Sequence, residues 1–168
     1  MPVPETRTAG EIVRDTYTAL DRRDFDAVRP LWIEDSVNHV LPLGMSLRGP
    51  REIEAFIRNV FAAVPDWRLS IENIVEDERH AVVQWSGEGT FDGLSFEGIE
   101  PSGRRLSLRG CDVVRLTADG TLEEDTTYFD GAEWARQVGL LPPRGSSLDK
   151  GITEAFNALT RLRRKLDA

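Results

Sequence analysis

The chain has 168 residues, 40% of them hydrophobic and 30% charged, the balance of one globular domain large enough to bury a core. A net charge of −8 argues against a nucleic-acid surface, and no apolar run approaches the ~18 residues of a membrane span. The one cysteine, Cys111, excludes an internal disulfide, and no cysteine cluster offers a metal site.

Helix one is predicted over residues 8–23, where Val13, Tyr17 and Leu20 recur at helical spacing beside Ile12, Thr16 and Ala19. Asp24 is a good N-cap for a second helix carrying Phe25, Val28, Leu31 and Trp32, shortened or bent by Pro30. A short strand follows over 36–41. The third helix is the clearest: Ile53, Phe56, Ile57, Val60 and Phe61 make one stripe, Pro50 sets its first turn and Pro65 stops it. Long strands are then predicted over 67–76, 81–91, 104–117 and 121–129, with a short helix over 132–138. Ala118-Asp119-Gly120 is a tight hairpin signal, because glycine accepts positive φ without a steric penalty. Helices first and a curved antiparallel sheet second is an α+β plan, with one sheet face free to wrap a pocket.

Past a Pro/Gly/Ser break at 142–147, Ile152, Phe156, Leu159, Leu162 and Leu166 keep a helical period. Residues 1–147 are therefore read as the main domain and 148–168 as a C-terminal helical extension. Its apolar stripe is expected to dock, through Ile152, Phe156 and Leu159, on the body or on a neighbouring subunit. The extension carries a charge of +2 and the rest −10. The basic run 161–165 reads as a solvated helix face. Residues 1–7 hold no apolar signal core, so a cytoplasmic location is expected.

Several residues together resemble a known family. Asn38-His39 follows Glu34-Asp35, Pro65-Asp66-Trp67 closes helix three, Gly89-Thr90 ends a strand, and Gly98-Ile99-Glu100-Pro101-Ser102-Gly103-Arg104 makes the next turn. With the Asp119-Gly120 hairpin, their order and spacing resemble the SnoaL-like polyketide cyclases. These belong to the nuclear-transport-factor-2-like superfamily with the ketosteroid isomerases and limonene-epoxide hydrolases. The resemblance covers residues 12–141. It implies a cone, in which a curved, mainly antiparallel sheet wraps three N-terminal helices around an apolar cavity. It also implies catalysis without cofactor or metal, a hydrophobic small-molecule ligand, and a homodimer formed through the outer sheet face. Val83 and Val113 are expected in that interface, and Trp85 either there or in the core. One departure matters: cyclases and epoxide hydrolases of this superfamily place a catalytic Asp on the last strand just after a Trp. Here those positions are Thr127 and Thr126, with Asp125 two residues upstream on the same face.

The candidate acids follow from strand geometry. If 115–116 opposes 121–122 in the hairpin, Asp112 lies near Asp125. Two carboxylates in one apolar pocket repel, and one pKa rises toward neutrality, as a general acid or base requires. The alternative is that both face solvent or pair with Arg109 and Arg115. Asn38 and His39 are strand neighbours, so one of them enters the cavity. The matching Asn of the cyclases is a pocket residue, and His39 has a pKa suited to proton transfer. Gln84, Ser86 and Glu88 form one face of their strand, with Glu88 a further acid candidate. Tyr17, Thr127, Phe129, Phe56 and Val60 complete the expected substrate lining. Tyr128 is a possible oxyanion donor that should face away from Thr127, and Cys111 is expected to be a buried, inert thiol. Two functions stay open: an acid–base cyclase, isomerase or hydratase, or a non-catalytic binder using the same cavity. A protein-interaction module is a third.

Overall fold

The computed structural model describes residues 7–166; the outer ends of the two expected segments, 1–6 and 167–168, lie outside the described residues. Helix α1 (Ala9–Asp21) opens on a capping box in which the Thr8 side chain accepts from the Glu11 N–H and the Glu11 carboxylate accepts from the Thr8 N–H. Its stripe of Ile12, Val13 and Tyr17 is buried. The short helix α2 (Phe25–Val28) is capped by Asp24 and runs into a 3-10 turn at Pro30.

There the chain departs from the expected pattern. Pro30 ends the helix, and strand β1 (Trp32–Val40) starts at once, four residues earlier than predicted, so Trp32 is a strand residue. A short edge strand, β2 (Met45–Arg48), turns back on it and leads into α3 (Gly49–Ala63). Strands β3 (Arg68–Glu76), β4 (His80–Phe91), β5 (Arg104–Leu116) and β6 (Leu122–Phe129) match the predicted segments to within a residue or so. Helix α4 (Gly131–Val138) follows, and α5 (Ser147–Leu166) completes the described chain.

One six-stranded sheet has the order β2-β1-β6-β5-β4-β3. Strand β1 runs parallel to β6, and every other pairing is antiparallel. Register shifts interrupt β1 against β6, β3 against β4 and β5 against β6, and such bulges bend a sheet. Gly120 supplies the positive φ of 78° that closes the β5–β6 hairpin. Helix α1 packs on β3 and β4, α3 on β1 and β2, and α4 on β5, so the concave face is roofed by helices. The result is the α+β cone, with two apolar clusters flanking a cavity.

Of two expectations about the outer surface, one needs correction and the other is narrowed. On β4 the buried side chains are Ala81, Val83, Trp85 and Phe91, while Gln84 and Glu88 are exposed and Ser86 is half-buried on the same outer face. The alternation was right, but the assignment of faces was reversed. Burying the apolar set removes far more apolar surface from water than burying Gln, Ser and Glu would. Trp85 and Val83 are therefore core residues, and of the three residues considered for the outer face only Val113 lies there. Helix α5 buries none of its residues, so Ile152, Phe156 and Leu159 are exposed in the single chain rather than docked on its body. Among the described residues no helix is long and apolar enough to cross a membrane.

Candidate active site

The cavity has a volume of about 220 Å³ and an overwhelmingly apolar wall. All four tryptophans of the chain line it, together with Phe56, Val60 and Phe129. Its polar groups gather at the sheet: Tyr17 from α1, Asn38 from β1, Asp112 from β5, and Asp125 with Thr127 from β6.

Register explains the gathering. Asp112 lies opposite Thr127, and Asp125 lies opposite Val114. The two acids are thus diagonal neighbours on the inward face, with backbones on the order of 7–8 Å apart. On the other side of β6, Asn38 is the direct parallel partner of Asp125, and its Nδ2 donates to Asp125 Oδ2 at 2.8 Å. Trp85 lies opposite Gly110. A Cβ at position 110 would sit 2.2 Å from Trp85 Cζ2, so the bare glycine lets the indole lie flat across β5. From there Trp85 Nε1–H donates to Asp112 Oδ1 at 2.9 Å, and the Tyr17 hydroxyl donates to Asp112 Oδ2.

The two acids are therefore unequal. Burial raises the Asp112 pKa, while hydrogen bonds from Tyr17, Trp85 and Thr127 favour its charged form and pull the other way. Burial is also the largest influence on Asp125, and the charge of Asp112 adds to it; the Thr126 backbone and Asn38 offset only part. Asp125 is held well above the usual carboxylate range. Its Oδ1 is buried and has no hydrogen-bond partner among the described residues. An ionised oxygen stranded this way is costly, and a proton lowers that cost by removing the charge. Burial and charge thus bear harder on Asp125, which has the unpartnered oxygen, than on Asp112, whose two oxygens both accept hydrogen bonds. Tyr17 is also pushed up, by burial first and then by both carboxylates, so it stays a neutral donor.

The remaining candidates lie elsewhere. His39 points outward from β1, with Nδ1 2.8 Å from Ser46 Oγ and Nε2 3.9 Å from Glu124, because its neighbour Asn38 takes the inward position. Glu88 pairs with Arg105 on the outer face at 2.7 Å, and Gln84 and Ser86 share that face, so neither these three nor His39 line the cavity. Tyr128 is outward and exposed. Cys111 is half-buried rather than buried, and burial and the two acids raise its pKa. Reading the sequence missed Trp85 as a site residue. The signal was there in its place on the apolar face of β4 and in a glycine one strand over. Among the described residues no group of three or more His, Cys, Asp or Glu side chains is arranged to hold a metal ion.

The SnoaL-like domain family matches residues 13–124, two thirds of the chain. The chain belongs to that family. The match takes in Tyr17, Asn38, Trp85 and Asp112 and ends one residue before Asp125. No curated protein matches the chain by sequence. Among solved structures, AclR of Streptomyces galilaeus, provisionally assigned as a hydroxylase, is 19% identical with a TM-score of 0.70, over 92% of this chain and 96% of that one. A provisionally assigned SnoaL-like polyketide cyclase from a Jannaschia species is 20% identical with a TM-score of 0.73, over 84% and 99%. TsrD of Streptomyces laurentii is 20% identical with a TM-score of 0.69, over 84% and 100%. At these identities the likeness is one of fold, and this SnoaL-like chain has the nuclear-transport-factor-2-like cone.

Proposed function

We propose that this SnoaL-like protein is a cofactor-independent acid–base enzyme. It acts on a hydrophobic, oxygenated small molecule of polyketide- or steroid-like character, as a cyclase, isomerase or hydratase. The observation that carries this reading is the unequal Asp112–Asp125 pair at the polar end of an apolar cavity. Provisional cyclase and hydroxylase assignments among proteins of the same fold add weight to it.

The chemistry follows from the proton inventory. Asp125 holds a proton that it can give to a carbonyl oxygen or to a carbon of an enol. Asp112 holds the charge that keeps that proton in place, and Tyr17 and Trp85 fix its orientation. Taking a proton next to a carbonyl and returning one to the substrate leaves the pair as it began. Double-bond migration and aldol closure both fit that cycle. The apolar wall excludes water and binds the ring system.

A second reading is a binder that uses the same cavity without turnover, and Thr127 at the position of the family acid favours it. One experiment separates the two. The protein is offered a β,γ-unsaturated steroid ketone and a bicyclic enolisable ketone. Binding is followed by tryptophan fluorescence, and double-bond migration or α-deuterium exchange by absorbance and NMR. The enzyme reading expects binding and exchange above the buffer rate. Quenching with exchange only at the buffer rate would leave the binder reading standing.

A further inference from the structure

We propose that α5 is an exchanged arm, whose apolar stripe docks across the outer sheet face of a second copy of this chain. The contact is distinct from the cavity and independent of its chemistry. Leu148, Ile152, Phe156, Leu159 and Leu162 lie along one side of a 20-residue helix, and all are exposed, Phe156 by 67%. A helix of that length spans about 30 Å, and water alone does not reward ordering such a stripe.

A matching surface exists on the body. Val75, Val82 and Val113 are direct cross-strand partners on β3, β4 and β5, so they form one row across the outer face. All three are exposed, Val75 by 63%. The row runs about 10 Å across three strands spaced ~4.8 Å apart, so it seats about two turns of a helix. The exposed Tyr128, on β6, borders the row. Contiguous exposed apolar rows of this kind mark contact surfaces.

Charge selects the occupant. The segment 148–168 carries +2 and the remainder of the chain −10, so an arm is drawn to the body of another copy. The same −10 opposes approach to an anionic lipid surface, the other partner a basic amphipathic helix could take. In a two-fold pair each copy gives an arm and receives one, so the contact is made twice.

The test uses the full chain. Sedimentation equilibrium at micromolar concentration should show a dimer. Ile152→Glu with Phe156→Glu on the arm, or Val82→Glu with Val113→Glu on the face, should each weaken the dimer at least ~30-fold, as loss of a central apolar anchor does. These side chains are exposed, and far-ultraviolet circular dichroism checks that the variants fold. An equimolar mixture of the arm variant and the face variant should recover a heterodimer, because one arm–face contact remains intact. A monomeric wild-type protein would overturn the proposal. So would a dimer that both variants leave unchanged, or a mixture that recovers nothing, which places the arm on its own body. Monomers that co-sediment with phosphatidylserine vesicles through Phe156 would assign the stripe to lipid instead.

Discussion

Replacing Asp125 with Asn should raise the melting temperature near neutral pH and sharply cut turnover. Burial and the Asp112 charge hold the folded pKa of Asp125 above its unfolded value of ~3.9. A raised folded pKa contributes stability that is fully present below ~pH 3.9 and is lost as pH rises through the folded pKa. Each unit of elevation therefore costs the wild-type protein ~1.4 kcal/mol once the pH is above that value. Asn does not titrate, and its carbonyl still accepts from Asn38. The advantage of the variant should be absent near pH 4, grow as pH rises, and level off above the folded pKa. For a chain of this size each kcal/mol moves the melting temperature by roughly 2–4 °C. Exchange of a ketone substrate should fall by about 10²–10⁴, the usual worth of a positioned general acid or base. Melting curves measured across pH for both proteins decide the matter. A variant destabilised equally at every pH would make Asp125 an ordinary structural carboxylate.

The Gly110→Ala variant should be strongly destabilised. The added Cβ would lie 2.2 Å from Trp85 Cζ2 and 2.6 Å from the Tyr128 carbonyl oxygen. The first neighbour is a ring wedged in the core and the second is backbone, so neither yields cheaply. Overpacking of this severity costs about 3 kcal/mol, a fall of roughly 6–12 °C in melting temperature. The damage also reaches the site, because a displaced Trp85 no longer donates to Asp112. That carboxyl should then titrate higher than in the wild-type protein. Thermal melting and tryptophan fluorescence check both parts. A melting temperature within a degree of wild type would show that the indole does not need the bare backbone at Gly110.

The fold was legible in the sequence where periodicity ran long enough to be read. Helix α3 and strands β3 to β6 have stripes or alternations of eight residues or more, and their ends lie close to the predicted ones. The nearness of Asp112 and Asp125 was legible too, but their register was not: pairing 115–116 with 121–122 would set the two acids directly opposite, whereas a bulge pairs Arg115 with Glu124 and leaves them diagonal on one face. Three other features were not legible, each for a physical reason. Strand β2 has four residues and buries only Leu47, too little for any period to show. Trp32 looked helical because Phe25, Val28 and Leu31 precede it at helical spacing; the break at Pro30 decided otherwise. On β4 the sequence displays two faces but not which one turns inward. The apolar face went to the core and carried Trp85 to Asp112, while Gln84, Ser86 and Glu88 went to solvent.

On the proposed mechanism Asp112 and Asp125 hold a single proton between them at neutral pH. Carboxyl carbon-13 NMR, followed through a pH titration of the ligand-free protein and assigned with the Asp125→Asn and Asp112→Asn variants, tests it directly. The Asp125 carboxyl should still show the protonated shift at pH values where a free aspartate, with its pKa of ~3.9, is fully ionised. Its inflection should disappear in Asp125→Asn and move down in Asp112→Asn, where the neighbouring charge is gone. Two carboxyls that both titrate at or below ~3.9, with no response of one to loss of the other, would contradict it.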